Sequence, residues 1–86
     1  MAGAGECMLY QGTIVANGEA VFRQFMEAMR RGDGKAADRL DQAGLIYRYP
    51  SAPRVTIVQR RGNMLELQPD DRQGTIWTDR WEVECK

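Results

Sequence analysis

Any acid–base chemistry in this 86-residue chain would fall to carboxylates, because histidine is absent. Histidine is the usual general base near neutral pH and a common metal ligand. Without it, no Ser-His-Asp or Cys-His nucleophile can be assembled within the chain. The one serine, Ser51 in YPSAPR, has no base beside it in sequence. The aspartates are Asp33, Asp38, Asp41, Asp70, Asp71 and Asp79. Asp70-Asp71 follows Pro69 and reads as a turn before it reads as a catalytic dyad. Asp38 and Asp41 fall one turn apart on the solvent side of a short helix. Cys7 and Cys85 are too few for a zinc site without histidine. No phosphate-binding glycine loop or dinucleotide fingerprint is present. The sequence assigns no catalytic residue, no metal ligand and no cofactor, and it leans away from an enzyme.

Binding is better served than catalysis. Both tryptophans lie in WTDRW, at Trp77 and Trp81. On one regular strand they would share a face with Asp79, Val83 and Cys85, while Thr78, Arg80 and Glu82 took the other. An unpaired carboxylate in the middle of an apolar face is costly to bury. The strand is therefore expected to break near Thr78-Asp79-Arg80, with Trp81 and Val83 in the core and Trp77 nearer an edge. Trp77, Asp79, Arg80 and Trp81 have the composition of a protein-binding hot spot and are the candidate partner site. RRG occurs twice, at 30–32 and 60–62. Arg30, Arg31, Arg60 and Arg61 are the candidate anion site, although solvated helix ends and hairpin tips commonly carry such charges.

The balance of charge narrows the partners. Ten Arg and two Lys are matched by six Asp and six Glu, so the formal net charge is zero. A dedicated nucleic-acid binder usually carries a basic excess. No run reaches the roughly 18 apolar residues of a membrane span. No secretory signal pattern is visible. A soluble cytoplasmic protein with two free thiols is expected. If Cys7 and Cys85 lay on neighbouring strands, however, a bond between them would close nearly the whole chain.

The elements that must position these residues follow from the pattern. Residues 8–16 read as a strand, with Leu9, Thr13 and Val15 on one face. Asn17 can cap a long helix ending at Gly32, with Val21, Phe22, Phe25, Met26 and Met29 as its apolar stripe. Asp33 caps a second, weaker helix that runs to Gly44 and shows Ala36, Ala37, Leu40 and Ala43. LIYRY (45–49) is a short strand and PSAP a loop. RVTIVQRRGNMLELQ reads as a hairpin with a three-residue loop, Arg61-Gly62-Asn63. That register places Val55, Ile57, Gln59, Leu65 and Leu67 on one face. PDDRQG is a turn, and the WTDRW segment closes the chain. Residues 1–6 are expected to be disordered.

This order predicts one α+β domain over 1–86: a mostly antiparallel sheet of about five strands, with one long and one short helix on one face. RLDQAGLIYRYPSAPRVTIV (39–58) resembles the winged-helix superfamily, as the close of a recognition helix followed by a β-wing, and the hairpin carries that likeness to residue 68. The likeness implies a nucleic-acid-binding regulator using the arginine pairs. It departs from the superfamily in that Gly32 to Leu40 leaves no room for the preceding helix. The main expectation is a non-catalytic module, a homodimer or the binder of another protein, with no metal or membrane partner.

Overall fold

The computed structural model describes residues 6–86. The expected disorder concerns mainly residues 1–5, which lie outside the described residues. Glu6 is tied in, its carbonyl accepting from the Lys86 N–H at 2.9 Å. The α+β class holds. Two helices, α1 (Glu19–Arg31) and α2 (Gly34–Gln42), join one antiparallel sheet of seven strands rather than about five. The strands are β1 (Cys7–Leu9), β2 (Ile14–Ala16), β3 (Ile46–Arg48), β4 (Arg54–Arg61), β5 (Met64–Pro69), β6 (Ile76–Asp79) and β7 (Val83–Cys85). Their order is β3-β2-β6-β5-β4-β1-β7.

The two extra strands arise where single expected strands bend. Residues 8–16 split at the Tyr10–Thr13 turn, and the C-terminal run splits at Arg80–Glu82. The first split rolls the sheet. β2 and β1 are separated by four inter-strand spacings, which would be about 19 Å in a flat sheet. Residues 10–13 could bridge about 17 Å only if fully extended, and here they turn. The sheet must therefore curl. One face lines the roll with Leu9, Val15, Val55, Leu65, Leu67 and Ile76, all buried. The opposite face of β2, β3 and β6 carries Ala16, Ile46 and Trp77, against which Phe22, Phe25 and Leu40 of the helices pack.

The helices differ from the sequence pattern in detail. Gly18, not Asn17, is the N-cap of α1, and no side chain caps it. The buried stripe is Phe22, Phe25 and Ala28, while Met26 and Met29 are exposed. The stripe turns toward Ala28 because the helix meets the sheet along a sector centred on Phe25, with Phe22 on one side of it and Val21 and Ala28 on the other. Gly32 ends α1 and Asp33 caps α2, accepting from the Ala36 N–H at 3.1 Å, both as expected. Of the expected α2 face only Leu40 is buried and Ala43 is exposed.

The β4–β5 hairpin has a two-residue loop, since Arg61 pairs with Met64. Gly62 takes φ 60°, which glycine adopts without strain. A bulge between Ile57 and Gln59 shifts the register. Gln59 therefore sits opposite Glu66, and Arg60 opposite Leu65, reversing the faces expected for both. The hairpin is central in the sheet and is not a wing beside a helical bundle. Residues 39–48 run from the end of α2 into the edge strand β3, so the described residues do not have the winged-helix topology.

Cys7 and Cys85 are bonded, not free as expected. β7 pairs with β1 in a register that sets these two residues opposite one another.

Candidate functional site

The candidate site forms where β6 stops. Asp79 accepts a hydrogen bond from the Trp81 N–H at 2.9 Å and caps a 3-10 turn, Arg80–Glu82. This break is the one the sequence predicts, because an extended Asp79 would sit unpaired on an apolar face. Its consequence for the tryptophans is the reverse of the expectation. Trp77 is buried, packed with Phe22, Phe25 and Ile46. Trp81 is 66% exposed and Val83 only partly buried. The alternation explains this: Trp77 stays on the regular strand facing the helices, whereas the turn carries Trp81 out of register before β7 begins. Trp77 is thus a core residue and is unavailable to a partner.

The Arg80 guanidinium carbon lies 4.4 Å from the centroid of the Trp81 ring. The ring quadrupole attracts the cation, and the stack holds both side chains in one arrangement. The Arg80 N–H donates to the Asn63 carbonyl at 2.8 Å, and Met64 pairs with Asp79. The turn therefore abuts the tip of the β4–β5 hairpin, which carries Arg60 and Arg61. Arg60 folds back, its Nε donating to the Gly62 carbonyl at 3.0 Å. Arg61 reaches Glu19 at 3.9 Å, at the N-terminus of α1. Among the described residues, neither Arg60 nor Arg80 enters an ion pair.

The four arginines of the predicted anion site do not come together. Arg30 pairs with Glu27, and Arg31 with Asp33 at 3.5 Å, at the far end of α1. A helix rise of 1.5 Å per residue places them about 18 Å from Glu19 and Arg61. The structure instead sets the tip of the hairpin that carries Arg60 and Arg61 against the Arg80–Glu82 turn through the Arg80–Asn63 backbone bond, a proximity that sequence spacing cannot reveal.

A second polar group lies on the loop after β5. Tyr49 donates its hydroxyl hydrogen to Asp71 Oδ1 at 2.5 Å, and Ser51 donates to Oδ2 at 2.8 Å. Arg72 bonds the Tyr47 hydroxyl. Ser51 thus has a carboxylate neighbour after all. The Tyr49 hydroxyl, and secondarily Ser51, hold the Asp71 carboxyl below its usual range. Burial, with Asp71 beside it, pushes the Tyr49 phenol above its ordinary value. A carboxylate made less basic is poorly suited to take a proton from serine. The arrangement pins the 70–75 turn to the end of β3. The alternating tyrosines of LIYRY were its only sequence trace.

Asp38 and Asp41 are exposed on α2. They rim a cleft of ≈ 250 Å³ whose apolar lining includes Phe25, Met29, Ile46 and Tyr47. Among the described residues no three metal-ligating side chains cluster, and no helix is long and apolar enough to cross a membrane. Comparison with known proteins gives no match: no family model fits the chain, and no curated protein or solved structure matches it.

Proposed function

We propose that the protein is a binding module that self-associates or takes a protein partner through the corner formed by Asp79, Arg80 and Trp81. The observation that carries this reading is the 66% exposure of Trp81 beneath a stacked Arg80. Tryptophan and arginine are the residues most enriched in interface hot spots. A stack that already fixes both side chains lowers the ordering cost of binding. The β3 and β7 edges are three residues long, and such short edges are poor templates for strand addition. That favours a side-chain surface over edge pairing. Light scattering across the micromolar range tests self-association: a dimer lost on Trp81→Ala supports it, and a concentration-independent monomer removes it.

A nucleic-acid role is the second reading, favoured by the exposed Trp81 indole, on which a base could stack, beside the Arg80 guanidinium. The neutral overall charge weighs against it. Retardation of a single-stranded oligonucleotide at low salt, lost at moderate salt, would favour this reading.

The cytoplasmic setting expected from the sequence is a reducing one. Bonded Cys7 and Cys85 favour oxidising surroundings.

A further inference from the structure

β7 is fastened to the rest of the protein along one side and by one covalent bond. It is three residues long and pairs with β1 alone among the described residues. Glu84, Cys85 and Lys86 are exposed, and Val83 is only partly buried against the core. The Tyr10 hydroxyl reaches Glu84 Oε1 at 3.4 Å, at an exposed position. An edge strand this short, at the end of a chain, holds weakly by itself: its few hydrogen bonds lie beside water and it covers little apolar area. The Cys7–Cys85 bond offsets that weakness by keeping β7 at β1.

β1 is held differently on its two sides. The Leu9 N–H donates to the Pro53 carbonyl at 3.1 Å, so Cys7 and Leu9 turn their backbone groups toward β4. The Glu6 carbonyl accepts from the Lys86 N–H at 2.9 Å, so Glu6 and Met8 turn theirs toward β7. Glu82 is anchored just before β7 begins. Its carbonyl accepts from the Tyr10 N–H at 3.1 Å, and its carboxylate accepts from the Thr13 hydroxyl at 3.1 Å. β7 can therefore leave from Val83 onward while the Arg80–Glu82 turn and the β1–β4 pairing stay in place. The two sulfurs also differ in access: Cys7 is 4% exposed within the core, whereas Cys85 is exposed.

We propose that the Cys7–Cys85 bond is a redox latch on β7: a dithiol reductant opens it, and residues 83–86 swing off β1 while the rest of the fold holds. One thiolate of the dithiol attacks the exposed Cys85 Sγ, the S–S bond breaks, and the Cys7 sulfur leaves as a thiolate that takes a proton from water. The second thiol of the reagent, as its thiolate, then attacks the mixed disulfide and releases the Cys85 thiolate, which is protonated in turn. The protein bond gains two electrons and two protons, and the reagent leaves as its own disulfide. Release of β7 uncovers the side of β1 that carries the Met8 N–H and carbonyl. In oxidising surroundings the latch stays shut.

Amide hydrogen exchange read by NMR tests it on the full chain. The oxidised protein is compared with the same protein in dithiothreitol, well below the melting temperature of the reduced form. The expected signature alternates along β1. The Met8 amide, with those of Glu84 and Lys86, should lose about tenfold or more of its protection on reduction. The amides of Cys7, Leu9 and Tyr10, and those of α1 and β5, should keep theirs. Cys85→Ser should show the same pattern without reductant. Carboxypeptidase should trim residues 83–86 from the reduced protein and from Cys85→Ser, but not from the oxidised wild type. Loss of protection throughout the chain would mean that the bond staples the whole fold, and would overturn the latch. Unchanged protection at Met8 and Glu84 would mean that β7 stays paired without the bond, and would overturn it equally. Loss at Leu9 together with Met8 would mean that β1 departs with β7, and would overturn a hinge at Glu82–Val83.

Discussion

Cys7 and Cys85 face each other across β1 and β7, with Cα atoms 3.9 Å apart. The bond joins positions 78 residues apart, so it restricts nearly the entire unfolded chain. The loop-entropy estimate for that span is about 4–5 kcal/mol of stabilisation. For a domain of this size that is a large share of the total. Cys85→Ser should therefore lower the melting temperature substantially, and a reductant should do the same to the wild type while leaving the variant unmoved. Identical melts with and without reductant would mean that the cysteines are not bonded in solution.

The helix α1 gives a paired prediction. Phe25 is buried between β2, β6 and α2, whereas Met29, four residues on, is 57% exposed. Phe25→Ala should cost about 3–5 kcal/mol by leaving a cavity. Met29→Ala should cost less than about 1 kcal/mol, as surface substitutions do. Denaturant midpoints compare the two, and equal losses would place Met29 in the core as the sequence periodicity suggests.

That periodicity shows what could be read in advance. Local signals were legible: Gly32 and Asp33 punctuate the helices, Gly62 marks the hairpin, and Asp79 breaks the last strand. Each acts through its own backbone or an immediate neighbour. What was not legible depends on closure of the sheet. The bulge before Gln59 leaves no trace in an alternating pattern, yet it exchanges the faces of Gln59 and Arg60. The roll at Tyr10–Thr13 decides that β1 meets β7, and so brings Cys7 to Cys85. Trp77 and Trp81 share a residue type, and only the turn between them decides which is buried. For the candidate site, Arg80 and Trp81 were named by composition, but the approach of the hairpin tip to them depends on the Arg80–Asn63 backbone bond.

Acid should loosen the turn held by Asp71. Its carboxyl is held below the usual range by the Tyr49 and Ser51 hydroxyls. A carboxyl depressed in the folded state adds stability above its unfolded value near 3.9. That stability is lost as pH falls through the folded value. Wild-type stability should thus decline below about pH 4. Tyr49→Phe, which removes the largest cause, should flatten that part of the decline. A titration by denaturant melts decides it: the same acid slope in both proteins would show that Tyr49 does not stabilise the ionised carboxyl.

The two tryptophans should report separately on the core and the surface. Trp77 packs among Phe22, Phe25 and Ile46, while Trp81 stands out beside Arg80. Trp81→Phe should remove the red-shifted, iodide-quenchable emission and change stability by less than about 1 kcal/mol. Trp77→Phe should remove the shielded emission and destabilise, because the smaller ring underfills a buried site. Asp79→Ala sits between these cases. It removes a side-chain cap from the Trp81 N–H, a loss of about 0.5–2 kcal/mol where caps have been removed. With the turn loosened, the Trp81 emission should also lose the constraint of the Arg80 stack, and its fluorescence anisotropy should fall. Steady-state anisotropy of Asp79→Ala in a background where Trp77 is replaced by Phe reads this alone. An unchanged anisotropy would show that the stack holds Trp81 without the cap, and that Arg80, not Asp79, fixes the corner.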